Sequence, residues 1–171
     1  WNWWELAGKT IGIIGMGNIG QKVARIAEAF GMKVCYYSTS GTGHCKDYPC
    51  LSLEELLKTS DIVSVHAPLN ERTLNLIGKE QLSMMKPQAY LVNVGRGAII
   101  VEEDLAQAVD DGVIAGAGVD VFVTEPLPES HPYLRMRYPE RMRLSPHIAW
   151  ASIEARDRLI GIMAENIKKG W

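Results

Sequence analysis

The stretch TIGIIGMGNIGQKVARIAEAFGMKVC, Thr10 to Cys35, constrains the fold more than any other part of the chain. It opens with a β-branched apolar run and turns on Gly15-Met-Gly17-Asn18-Ile19-Gly20. It then places Ile19, Val23, Ile26, Ala27 and Phe30 at helical spacing, with Gly31 as a stop. Three glycines alone could make no more than a tight turn. Between a strand and a helix each has its own task. Gly15 makes the turn, Gly17 lets a pyrophosphate approach the backbone, and Gly20 packs helix against strand. The helix amino terminus offers unpaired N–H groups to that anion. The turn, with Asn18 and Ile19 along it, is therefore expected to hold a dinucleotide.

The rest of the chain repeats the alternation. Thr10–Gly15, Lys33–Tyr37, Asp61–His66, Ala89–Val94 and Ile114–Val121 have the Val, Ile and Tyr content of short strands buried on both faces. Between them, SLEE at Ser52 to Glu55 is a capping box, and helices are predicted over Glu80–Met85, ended before Pro87, and Glu102–Asp110, followed by Gly112. Ser152 is placed to cap a long last helix with Leu159, Ile160, Met163 and Ile167 on one stripe. Alternating strands and helices imply right-handed crossovers and a parallel sheet. The expectation is an α/β fold, a doubly wound parallel sheet of Rossmann type, as one dinucleotide-binding domain over residues 1–171. Gly41–Cys50 and Thr124–Leu144 are the irregular segments. Arg135, Arg137, Arg141 and Arg143 in the second are expected to be solvated loop charges.

Composition narrows the function. A net charge of −2 argues against a nucleic-acid or acidic-membrane partner. No apolar run reaches the roughly 20 residues needed to cross a bilayer. WNWWELAGK has neither the basic nor the apolar region of a secretion signal, and the missing initiator Met suggests a piece of a longer protein. Cys35, Cys45 and Cys50 cannot all pair within one chain. His44, Cys45 and Cys50 make an incomplete metal-ligand set, so no metal is expected, and a reduced, cytoplasmic protein is the simpler expectation.

One position breaks the dinucleotide pattern. An acidic residue should close the second strand and accept hydrogen bonds from the adenosine ribose. The chain has YYSTSG there, with Ser38, Thr39 and Ser40 in place of the acid. Their hydroxyls suit a ribose or a 2′-phosphate, and discrimination against NADP is lost with the carboxylate. No Arg follows directly; Lys46, beside His44, is the nearest downstream base. NAD is the expected cofactor, with NADP left open.

VNVGRGAII (92–100), GAGVDVFVTEP (116–126) and SPHIAWAS (145–152) put polar groups at or beyond strand ends, where ligands bind in such sheets. With the glycine turn, these motifs resemble the D-2-hydroxyacid dehydrogenase family over nearly the whole chain. HIAWAS and YYSTSG look most like its glycerate dehydrogenase (hydroxypyruvate reductase) branch. The resemblance implies hydride transfer between NAD(P)H and a 2-keto acid, giving a D-2-hydroxy acid. It implies that Arg96 grips the substrate carboxylate, and that Val94, Gly95, Arg96 and His147 also line the cofactor. Glu125 would be the acid that orients His147, and His147 the proton donor. Asp120 would bond the nicotinamide carboxamide. His66, Ala67, Pro68 and Thr73 would lie along the adenine side. Members of the family also carry a substrate domain, largely absent from this chain, so this piece is expected to be weak or inactive alone. A homodimer is implied as well, and Trp1, Trp3 and Trp4 suggest a buried interface. Taken singly, Arg96 could be a surface charge, His147 a satisfied histidine and Glu125 a loop residue; their joint placement favours the site. The alternative is a non-catalytic NAD-sensing module of corepressor type, which would retain the same three residues.

Overall fold

A computed structural model describes residues 4–170. Trp1 and Trp3 of the expected interface lie outside the described residues, and Trp4 is exposed. Six strands form one parallel sheet: β1 (Thr10–Ile14), β2 (Lys33–Tyr37), β3 (Ile62–Val65), β4 (Tyr90–Asn93), β5 (Gly116–Val119) and β6 (Met142–Leu144). Their spatial order is β2-β1-β3-β4-β5-β6, and every pairing is parallel. Helices α1 (Asn18–Ala29), α2 (Leu53–Thr59), α3 (Lys79–Met84), α4 (Glu102–Asp110) and α5 (Ile153–Lys169) connect or follow the strands. The doubly wound reading holds. Strand order reverses between β1 and β3, which fixes the ligand crevice at their carboxyl ends.

Alternation along β1 divides the core. Ile11 and Ile13 pack with Ala24 and Ala27 of α1, while Ile14 joins Leu56, Leu57, Val63, Leu91 and Leu105 in the larger cluster. Ser52 caps α2 reciprocally with Glu55, as the SLEE signal predicts. Ser152 likewise caps α5 by accepting from the Ala155 N–H at 3.2 Å.

Three expectations need correction. The apolar stripe of α1 is split: Val23 and Ala27 pack toward the sheet, whereas Ile19, Ile26 and Phe30 are 65%, 59% and 61% exposed, and the buried residues are Gly20, Ala24 and Ala27. At Gly20 the helix lies so close that a Cβ would overlap the Gly15 carbonyl oxygen. The α5 stripe of Leu159, Ile160, Met163 and Ile167 is likewise exposed, with no buried residue on that helix. The segment expected to be irregular contains β6, which pairs with β5 through Ala117–Met142, Gly118–Arg143 and Val119–Leu144.

Candidate active site

Every candidate cofactor-binding or catalytic residue lies in a segment that follows the carboxyl end of a strand. Gly15 to Gly20 link β1 to α1, Ser38 to Ser40 follow β2, and His66 to Thr73 follow β3. Val94 to Arg96 follow β4, Asp120 and Glu125 follow β5, and His147 follows β6.

The glycine turn fits a dinucleotide phosphate. A Cβ on Gly15 would approach the Ala67 nitrogen and Cα to 2.8 Å, so the ends of β1 and β3 crowd here, and Gly15 has φ +95. Gly17 is exposed and faces open space. It caps α1 without a side-chain hydrogen bond, which leaves first-turn N–H groups free for an anion. Asn18 and Ile19 are exposed along that turn. Beside it, His66 is half-buried and shares a 2.9 Å hydrogen bond with Ser64; burial lowers its pKa and favours the neutral ring. Pro68 is exposed, but Thr73 is fully buried. Its hydroxyl donates to the Pro68 carbonyl at 2.7 Å and accepts from the Asn70 N–H at 2.9 Å. These bonds make Thr73 a shaping residue of the loop after β3.

The turn after β2 gains a partner that sequence order hides. Arg72, in the loop after β3, donates from Nη1 to the Ser40 carbonyl oxygen at 3.1 Å. Ser38 Oγ donates to the Thr42 carbonyl oxygen at 2.6 Å, and Thr42 Oγ1 and His44 Nε2 are 2.7 Å apart. The basic group missing downstream of YYSTSG therefore comes from another loop.

The catalytic candidates converge from β4, β5 and β6. The buried Asn93 ties down the VGRG turn: its Oδ1 accepts from Gly95 N–H at 3.1 Å and its Nδ2 donates to the Arg96 carbonyl at 3.0 Å. Arg96 is exposed, with Nη1 donating to the Gly95 carbonyl at 2.7 Å. A Cβ on Gly97 would overlap the Phe122 carbonyl carbon and the Val123 nitrogen. Only glycine lets the 121–125 loop lie this close to the arginine turn. That loop carries Glu125, whose Oε1 accepts from Phe122 N–H at 2.9 Å and whose Oε2 lies 2.8 Å from His147 Nδ1. The His147 hydrogen bond first, then the Phe122 amide and the Arg96 charge, hold the Glu125 pKa below the usual carboxylate range. With Nδ1 engaged, Nε2 is the ring nitrogen free to exchange a proton with a ligand.

Asp120 has a structural task in the loop that follows β6. Burial alone would raise its pKa, but hydrogen bonds from Ser145 Oγ at 2.5 Å, Ala149 N–H at 2.9 Å and Ile148 N–H at 3.0 Å hold it low. Both oxygens are thus engaged in fixing the 145–149 loop on either side of His147, which adopts φ +55. Oδ2 carries one of these three bonds, so the carboxylate keeps an acceptor site beyond them. Glu102 and His131 were also not singled out in the sequence. Glu102 Oε1 accepts from Val123 N–H at 3.0 Å and Oε2 lies 3.0 Å from His131 Nε2, tying the Glu125 loop to the start of α4.

A parallel sheet with a glycine-turned phosphate cradle at its switch point, and an imidazole–carboxylate pair beside an arginine, defines a nucleotide-binding domain of the oxidoreductase type. The family model described as "D-isomer specific 2-hydroxyacid dehydrogenase, NAD binding domain" matches residues 1–149, and the chain belongs to that family. It is 44% identical over 167 residues to the glyoxylate reductase of Korarchaeum cryptofilum, covering 96% of this chain and 49% of that protein. It is 39% identical over 176 residues to the hydroxypyruvate reductase of Blautia hydrogenotrophica, covering 99% of this chain and 54% of that protein. Among solved structures, the acyclic imino acid reductase Bsp5 in complex with NADPH and D-Arg superposes with a TM-score of 0.86 at 38% identity. That match covers 96% of this chain and 51% of the reductase. The chain spans about half the length of the curated relatives it matches.

Proposed function

We propose that this chain is the cofactor domain of an NAD(P)H-dependent reductase that converts a 2-keto acid, glyoxylate or hydroxypyruvate, into the corresponding 2-hydroxy acid. A substrate domain elsewhere in the protein would complete the site. The observation that carries this reading is the 2.8 Å contact between His147 Nδ1 and Glu125 Oε2, made at strand ends by residues of different loops. The named reductases among the relatives support the same class of substrate.

The chain's own residues have distinct tasks in this reaction. The planar fork of Arg96 pairs with the substrate carboxylate and turns the keto group toward the histidine. His147 delivers a proton from Nε2 to the carbonyl oxygen and regains it when the reaction runs backwards. Glu125 holds the ring in the orientation that presents Nε2. The glycine turn and the α1 terminus anchor the cofactor's pyrophosphate, and the bound nicotinamide supplies the hydride. The exposed apolar residues of α5 suit coverage by the substrate domain, and those of α1 suit a second copy of the chain in a homodimer. Three free cysteines suit a reducing, cytoplasmic setting, and no helix among the described residues is long and apolar enough to cross a membrane.

Turnover of glyoxylate and hydroxypyruvate by the complete protein tests the proposal, followed as loss of reduced-nicotinamide absorbance. His147→Gln should lower kcat by about 10²–10⁴-fold, the range for loss of a general acid, while cofactor binding persists. A complete protein that binds cofactor but reduces neither acid would overturn the reading.

A further inference from the structure

We infer that Arg72 and the Ser38–Thr42 turn form a subsite for the 2′-phosphate of an adenine dinucleotide, so that this chain binds NADP(H) more tightly than NAD(H). The inference rests on the cofactor-domain reading above and names the chemistry of one end of that site.

The carboxylate that would repel a 2′-phosphate is missing, and no Asp or Glu occurs anywhere from Ser38 to Lys46. Ser38 and Thr39 are half-buried and Ser40 is exposed, so hydroxyls stand at the end of β2 in place of the acid. Arg72 supplies the positive charge. Its Nη1 donates to the Ser40 carbonyl oxygen at 3.1 Å, and the same nitrogen lies 3.7 Å from where a Cβ on Gly41 would stand. The guanidinium is thereby laid across the turn.

Among the described residues, no carboxylate lies within 4.0 Å of the Arg72 guanidinium, whereas Arg137 is paired with Asp110 and Asp111. Four of its five N–H donors remain beyond the bond to Ser40. A phosphate monoester accepts charge-assisted bonds of that kind, often two at once from one arginine. His44 and Thr42 close the far side of the turn, 2.7 Å apart, and add polar groups of neutral or positive character. A bare 2′-hydroxyl would leave the guanidinium unmatched by any negative charge.

The position of Arg72 also explains why it escapes sequence inspection. It follows β3, not β2, and reaches the turn because β1 alone separates those two strands in the sheet.

Calorimetric titration of the 171-residue chain with NADPH and with NADH tests the inference, joined by 2′,5′-ADP and 5′-AMP as probes of the adenosine end. The parent chain should prefer NADPH by about tenfold or more, the value of one or two hydrogen bonds to a charged group at a partly solvated site. It should prefer 2′,5′-ADP over 5′-AMP to a similar degree. Arg72→Ala should abolish both preferences, and Ser38→Asp, which restores the repelling carboxylate, should invert them. Equal or tighter binding of NADH by the parent would overturn the inference, as would an Arg72→Ala variant that keeps the full preference. Failure of the parent to bind any of the dinucleotides would strike the cofactor-domain reading itself.

Discussion

Asp120→Asn isolates the device that holds His147 in place. The Asp120 residue is 4% exposed, and its carboxylate accepts three bonds: Ser145 Oγ and Ile148 N–H on Oδ1, and Ala149 N–H on Oδ2. Asparagine keeps the shape but has one acceptor oxygen. Its better orientation keeps that oxygen on Ser145 and Ile148 and turns the NH₂ group against the Ala149 amide. One bond to a charged acceptor is lost, a contribution of about 1.5–3 kcal/mol, and the other two weaken toward neutral strength. Relief of burying a charge offsets part of this. The net destabilisation should be about 2–4 kcal/mol by urea unfolding at neutral pH, or a Tm lower by about 4–12 °C for a chain of this size. The pH dependence checks the cause. A folded-state pKa below the unfolded value gives stability that is present above about pH 4 and lost as pH falls through the folded value. The variant should lack that portion of the acid loss. Asparagine within about 0.5 kcal/mol of the parent, the size of an ordinary surface change, would refute the assignment of Asp120 as the loop's anchor.

Gly97→Ala should cost about 1–3 kcal/mol of stability as an overpacked contact. In the complete protein it should lower kcat by about 10²-fold, because a shift of the 121–125 loop near 1 Å misplaces Glu125; unchanged turnover with a folded variant would contradict the close-approach argument. His66 is held toward its neutral form by burial, so its contribution to stability is present above the unfolded value of about 6.5 and begins to fall as pH drops past it. His66→Gln should flatten the stability profile between about pH 6.5 and 5 relative to the parent, measured by denaturant unfolding at each pH.

Much of the fold is legible because parallel strands and their crossovers leave local signals. Lys33–Tyr37 and Glu102–Asp110 occur with the boundaries expected from the sequence, and the other early elements shift by a residue or two. The orientation of α1 is not legible in the same way. Periodicity weighs large apolar side chains, and the face against the sheet is built from Gly20, Ala24 and Ala27, which weigh little. β6 is three residues long, within an arginine-rich segment, and its pairing with β5 supplies what its own sequence lacks. Arg96, Glu125 and His147 stand out through motif context. Arg72, Ser145, Glu102 and His131 do not, because each acts on a segment that only the fold brings near. Arg72 meets Ser40 across 32 positions and Glu102 meets His131 across 29.

Four side chains at this edge share one physical role. The loops at the carboxyl edge have no ladder to hold their amides, so side-chain acceptors replace it. Asn93 takes the Gly95 amide, Glu102 the Val123 amide, Glu125 the Phe122 amide, and Asp120 the amides of Ile148 and Ala149. Each bond fixes a residue within three positions of a catalytic candidate, and each lies wholly within this chain. Glu125 belongs to both sets, because the carboxylate that captures a loop amide also orients His147. The alignment of imidazole, carboxylate and guanidinium is therefore set before any ligand arrives. That is the condition under which such groups act on developing charge without reorganising. In the proposed reductase, a separate substrate domain would then have less to contribute to the proton transfer itself. It would govern which side chain is admitted and how completely water is excluded, so its loss should abolish selectivity while the Glu125–His147 contact persists in the cofactor domain alone.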